Sequence, residues 1–80
     1  MKEKIISIVG WYGTIAIVLA YALNSYGYLE ATNVWYQLLN GTGAVGIVLV
    51  SLNKKAYQPA VLNTIWTVIA IIAIVKIILI

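Results

Sequence analysis

The sequence contains neither cysteine nor histidine, and only 9% of its 80 residues are charged. These absences exclude disulfide frameworks, thiolate nucleophiles and most transition-metal sites. The two acidic residues, Glu3 and Glu30, lie far apart, and no serine has a histidine to act as its base. We therefore expect a protein that is not an enzyme and that has no cofactor and no metal.

Positive charge is also scarce: all five basic residues are lysine, and the formal net charge is +3. This charge is too small and too scattered for a nucleic-acid footprint, so we expect no nucleic-acid partner. The lysines flank apolar runs instead. Lysines in that position are typical of membrane anchors.

Apolar residues make up 64% of the chain. Charge-free runs cover residues 5–29 and 31–53, and each exceeds the ~20 residues that a helix needs to cross hydrocarbon. Open strands would leave backbone groups unpaired in lipid, and a closed barrel needs more strands than 80 residues supply. The sequence therefore predicts an all-α membrane protein whose surroundings are a lipid bilayer.

The N-terminus also imitates a secretory signal, because "MKEK" precedes an apolar run that ends in the small-residue motif "AYA". Signal h-regions usually have about 7–15 residues, whereas residues 5–23 are long enough to span. We interpret this run as a retained first helix, and cleavage is the alternative.

We expect one domain of three transmembrane helices, at about residues 5–26, 33–52 and 59–79. The stretches "NSYGYLEATN" and "SLNKKAYQP" are polar and predict the two loops. Thr32 or Asn33 can cap the second helix, and Pro59 suits the first turn of the third, where its missing N–H costs nothing. Small residues on the first and third helices suggest that these two are neighbours.

The stretch "NGTGAVG" has glycines at the G-x-G-x-x-G spacing of a dinucleotide-binding loop. No strand precedes it and no acidic residue follows Glu30, so we interpret it as a surface for close helix packing. The predicted packing residues on the first and second helices are Gly10, Gly13, Gly41, Gly43, Ala44 and Gly46.

The amides of Asn24, Gln37, Asn40 and Asn63 are the groups that hydrocarbon tolerates least, so they should face the protein interior or a wet cavity. Two interpretations stay open: hydrogen bonding between helices, or contact with a solute. By helix rise, Asn40 and Asn63 lie at different depths, so we do not expect them to be partners.

Orientation follows from the lysines. The positive-inside rule places the N-terminus and the second loop, with Lys54 and Lys55, in the cytoplasm, and it places Glu30 outside. Lys76 would lie outside, near a helix end from which its side chain can reach the headgroups. We expect a bacterial inner-membrane protein with a cytoplasmic N-terminus.

Three segments carry a resemblance to known proteins: "GWYG…AY" at residues 10–21, "YQLLN" at 36–40, and the pattern P-x-V-L-N-x-x-W at 59–66. Together they resemble the CBU-type family of small, uncharacterised bacterial membrane proteins. This resemblance implies three helices and brings no established activity.

More distantly, the chain is similar to the SemiSWEET half-transporters of the PQ-loop group in its length, its three spans, and Pro59, Asn63 and Trp66. That group dimerises around a sugar pathway, and the resemblance implies that Asn63 contacts a solute. The Pro-Gln dipeptide of the group's first helix is absent here, where the sequence reads "AYALNSY".

Three helices cannot enclose an aqueous path alone, so we predict a homodimer or higher homo-oligomer, joined by the small faces of the first and second helices. The predicted function is SemiSWEET-like facilitation of a small polar solute. The alternative is a scaffold or accessory subunit that transports nothing. The candidate solute-binding residues are Asn63, Trp66, Thr67, Asn40, Gln37 and Tyr21.

Overall fold

The structure, a computed structural model, describes residues 2–79 and has three α-helices. Helix α1 spans Lys2–Ser25, α2 spans Val34–Asn53, and α3 spans Tyr57–Leu79. By length and composition, all three are able to cross a membrane. The expected all-α class and three apolar helices are confirmed. Helices α1 and α3 begin two to three residues earlier than the sequence predicts.

Helix α2 lies between the other two. It packs against α1 on one side and against α3 on the other, whereas no Cα atom of α1 lies within 8 Å of a Cα atom of α3 in residues 2–79. Our expectation that the first and third helices are neighbours is therefore wrong. The physical reason is that α2 has small residues on two sides: Gly43 approaches α1, and Gly41 approaches Ala70 of α3.

The backbones of α1 and α2 touch where glycine faces glycine. A Cβ atom built on Gly13 would lie 2.6 Å from the carbonyl oxygen of Gly43, and one built on Gly43 would lie 3.0 Å from the carbonyl oxygen of Gly13. One turn away, a Cβ on Gly46 would lie 2.9 Å from the carbonyl oxygen of Val9. No larger side chain fits at these points unless the helices move apart.

This packing also corrects our prediction about contacts between copies of the chain. The small faces of α1 and α2, which we expected to join two copies, pack against each other within one chain. They are not free to bind a second copy. Any interface between copies must therefore use other surfaces.

The interior of the bundle is narrow because the helices pack closely through small side chains. The buried apolar residues are all alanines, and no large side chain in residues 2–79 is fully buried. Isoleucine, leucine, valine and aromatic side chains are directed outward along all three helices. An apolar exterior around a small-residue interior is consistent with lipid contact.

The helix ends are defined by local hydrogen bonds. Asn33 caps α2, because its side-chain oxygen accepts a 2.8 Å hydrogen bond from the backbone N–H of Trp35. After α1 the chain turns at Gly27, whose φ of 81° lies in the left-handed region. After α2 the same turn falls on Lys55, with φ of 58°, where a side chain is less favourable.

Replacing Gly13 with alanine should destabilise the bundle by about 1–3 kcal/mol, because the added methyl group collides with backbone rather than with a flexible side chain. The measurement is the free energy of unfolding in detergent micelles. Gly27→Asn is the matched control, since it adds a side chain where nothing lies within 4 Å and asparagine tolerates the left-handed region. Equal stability of Gly13→Ala and the wild type would contradict the close contact.

Candidate functional site

A cavity of about 230 Å³ is bounded by all three helices. Helix α1 contributes Ile17 and Tyr21, and α2 contributes Tyr36 and Asn40. Helix α3 contributes Leu62, Asn63 and Trp66. The cavity exists because α1 and α3 pack on α2 and not on each other, which leaves a groove between them. Four of the six candidate solute-binding residues meet here.

Asn40 is the most buried polar residue on this cavity, with 9% of its surface exposed. Its side-chain amide makes no hydrogen bond to other groups in residues 2–79. Every side-chain nitrogen or oxygen atom that is fully buried in this part of the chain has a hydrogen-bond partner. The Asn40 amide has none, so it is not fully buried. It is therefore free to bind a polar group in the cavity.

Asn63 lines the cavity from α3 and is half-buried. Its Nδ2 donates a 2.9 Å hydrogen bond to the carbonyl oxygen of Pro59 in its own helix. The amide oxygen of Asn63 keeps its capacity to accept. Asn40 and Asn63 form no hydrogen bond with each other, but they line the same cavity despite the depth difference that we inferred from helix rise.

Aromatic rings form much of the remaining wall. Tyr21, Tyr36 and Trp66 supply flat apolar faces, and each also has a polar tip. None of the three tips is hydrogen-bonded within the described residues. Flat apolar walls with a few polar groups are typical of pockets for small molecules.

Two candidate residues do not join the cavity. Gln37 is buried, and its Nε2 donates a 2.7 Å hydrogen bond to the carbonyl oxygen of Ala31, which ties the first loop to α2. Thr67 donates from its hydroxyl to the carbonyl oxygen of Asn63, at 2.8 Å. Asn24 likewise bonds within its own chain, donating to the carbonyl oxygen of Leu29.

The packing candidates divide between the two sides of α2. Ala44 is completely buried. A Cβ on Gly41 would lie 3.0 Å from the Cβ of Ala70, so Gly41 serves the contact with α3. A Cβ on Gly10 would lie 2.8 Å from the side chain of Val50, so Gly10 belongs to the contact of α1 with α2. Gly13, Gly43 and Gly46 lie in the same contact.

Sequence reasoning missed one polar contact between helices. The hydroxyls of Tyr12 and Thr42 lie 2.6 Å apart, and Thr42 Oγ1 also lies 2.6 Å from the carbonyl oxygen of Leu38. Because Thr42 donates its single proton to Leu38, Tyr12 donates to Thr42. The available signal was that both residues fall near the middle of their helices, where a hydroxyl needs a partner.

The cavity wall also includes residues that the sequence did not single out, namely Ile17, Tyr36 and Leu62. Tyr36 precedes Asn40 by four residues, so the two share one face of α2. That spacing could have identified Tyr36. Ile17 and Leu62 have no distinguishing feature among many aliphatic residues.

A protein-family profile matches residues 6–79, almost the whole chain. The chain belongs to the CBU-type family. The family is small and uncharacterised, so membership supplies no activity, and the membrane assignment rests on the three apolar helices of the chain itself. Neither a curated protein nor a solved structure matches the chain. The likeness to SemiSWEET proteins stays a resemblance of sequence features.

Tyr12→Phe should lower the free energy of unfolding by about 0.6 kcal/mol, the average for a hydrogen bond between transmembrane helices. A double-mutant cycle with Thr42→Val in detergent micelles measures the pairwise coupling directly. Tyr21→Phe is the control, because its hydroxyl has no partner in residues 2–79. Additive effects of Tyr12→Phe and Thr42→Val would show that the two hydroxyls do not interact.

Proposed function

We propose that this CBU-type protein is a homo-oligomeric facilitator of a small polar solute, and that the cavity between α1 and α3 is its solute site. The observation that carries the proposal is the amide of Asn40, which is buried beside the cavity and makes no hydrogen bond to residues 2–79. An amide within the hydrocarbon region needs a hydrogen-bond partner, and the described residues supply none for Asn40. A bound solute can therefore supply it.

The surroundings of Asn40 fit the same role. Asn63, whose amide oxygen can accept a hydrogen bond, lines the cavity from α3, and Trp66 and Tyr21 offer flat apolar faces. A solute with hydroxyl groups and an apolar face could use both kinds of contact. The resemblance to SemiSWEET proteins, which also implies Asn63 as a contact, supports this assignment.

A second copy of the chain is part of the proposal. One chain leaves the groove between α1 and α3 uncovered, and three helices cannot surround a water-filled path. Pathways built from repeated units place the solute at the interface between them. We propose that two chains cover each other's grooves, with α1 and α3 as the contact elements.

The proposal predicts flux through proteoliposomes. Purified protein should increase entry of radiolabelled glycerol, glucose or sucrose above that of empty vesicles, and Asn40→Leu or Asn63→Leu should reduce this flux about threefold to tenfold, the range for one lost hydrogen bond. Thr64→Val is the control, because Thr64 bonds to the carbonyl oxygen of Ala60 and does not line the cavity.

An accessory or scaffold role is the second candidate. It is favoured by the hydrogen bonds of Asn24, Gln37 and Thr67, which all go to backbone groups of the same chain. Flux equal to that of empty vesicles for all three probes would favour this candidate. Flux that is unchanged by both asparagine substitutions would overturn the assigned site.

The orientation that we propose has a cytoplasmic N-terminus. The start of α1 and the end of α2 lie on one side of the bundle, where the chain has Lys2, Lys4 and Lys54. Glu30 lies in the loop on the other side. The positive-inside rule is strongest for short loops such as the one between α2 and α3.

Because the chain has no cysteine, single cysteines at Lys54 and Glu30 report orientation directly. In intact cells, an impermeant thiol reagent should label Glu30→Cys and should not label Lys54→Cys. Both should be labelled after the cells are permeabilised. The reverse pattern in intact cells would show that the chain is inserted with the opposite orientation.

A further inference from the structure

A second and larger groove lies at the lysine-rich end of the bundle, between the first half of α1 and the last two turns of α2. Its volume is about 560 Å³, and it shares no residue with the cavity described above. Its mouth is polar, with Glu3 and Ser7 on α1 and Asn53 and Lys54 at the end of α2. Deeper in, its walls are apolar.

The groove has the length of one lipid leaflet. From Glu3 to Thr14, its outermost and innermost residues on α1, the helix rises by about 16 Å at ~1.5 Å per residue. Half of a hydrocarbon core of ~30 Å is about 15 Å. The groove thus extends from the headgroup level to about the middle of the bilayer.

The inner wall suits an acyl chain. Ile47 and Val50 line it from α2, and Ile6 and Trp11 line it from α1. Thr14 donates its hydroxyl proton to the carbonyl oxygen of Gly10 at 3.0 Å, so this side chain has no unsatisfied donor at the inner end. A polar solute would make few hydrogen bonds there, whereas a hydrocarbon chain would make apolar contacts with the wall.

The mouth carries one charge of each sign. Glu3 lines the groove from α1, and Lys54 lines it from the end of α2. A ligand that carries both an ammonium group and a phosphate would complement these two side chains. Ser7 and Asn53 add hydroxyl and amide groups near the same level.

We propose that this groove binds one zwitterionic phospholipid with a primary ammonium headgroup. Lys54 contacts the phosphate, Glu3 contacts the ammonium group, and one acyl chain lies along Ile6, Ile47 and Val50 toward Thr14. The lipid belongs to the leaflet that faces the lysine-rich end. This site is independent of the proposed solute pathway.

The test is native mass spectrometry of the intact chain, released from micelles that contain phosphatidylethanolamine, phosphatidylcholine and phosphatidylglycerol with identical acyl chains. We expect one retained phosphatidylethanolamine per chain, in preference to the other two lipids. Lys54→Gln should reduce this retention about threefold to fivefold, the upper range for an exposed charge pair. Glu3→Gln should remove the preference for ethanolamine over choline.

Two further variants separate the groove from general surface charge. Lys55→Gln is the matched control, since Lys55 is adjacent in sequence but does not line the groove, and it should leave retention unchanged. Ser7→Leu, which fills the groove, should abolish retention, whereas Ser25→Leu at the other end of α1 should not.

Equal effects of Lys54→Gln and Lys55→Gln, or retention without headgroup preference, would overturn the proposal, because either result indicates ordinary annular lipid. Loss of oligomers in Ser7→Leu with lipid retention unchanged would also overturn it, because the groove would then be a contact between copies. Since flux is not the readout, failure of the solute proposal would leave these outcomes unaffected.

Discussion

The contact between the backbones of Gly13 and Gly43 is the constraint on which the rest of the structure depends. Lipid supplies no hydrophobic force between helices, so α1 and α2 associate through close packing and a few hydrogen bonds. Glycine at both positions brings backbone carbonyl groups against the facing helix. The Tyr12–Thr42 hydrogen bond joins the same pair of helices.

Because α1 occupies one side of α2, α3 must use another, where Gly41 meets Ala70. Helices α1 and α3 are thereby held on α2, and their backbones stay apart in the part of the chain that the structure describes. The cavity lined by Asn40, Asn63 and Trp66 is a direct result of this order. The small residues that make the bundle stable are also the reason that it leaves a groove open.

Much of the fold follows from the sequence because apolar length and helix caps are local properties. The two charge-free runs predict the first two helices, and Asn33 and Pro59 indicate the first turns of α2 and α3. The order of the helices was not predictable in this way. Small residues identify the face of a helix that packs, but all three helices have such a face, and nothing local states which faces meet.

The candidate site, like the fold, has features that local sequence predicts and features that it does not. Asn40 and Asn63 are amides within apolar helices, and the resemblance to SemiSWEET proteins points to Asn63 and Trp66. The structure places these three residues and Tyr21 on one cavity. Gln37 and Thr67 are also polar groups within these helices, but their hydrogen bonds are with backbone groups nearby. Composition identifies a residue that needs a partner. Whether the backbone supplies that partner depends on loop geometry and rotamer, which the sequence does not encode locally.

The position of α2 between the other two helices is tested most directly by nuclear Overhauser effects between helices in detergent micelles. We expect contacts between the α-protons of Gly13 and Gly43, and contacts from the α-protons of Gly41 to the methyl group of Ala70. No backbone contacts should join α1 to α3. Effects that join Gly13 to α3 instead of Gly43 would contradict this arrangement, because α2 would then not lie between the other two helices.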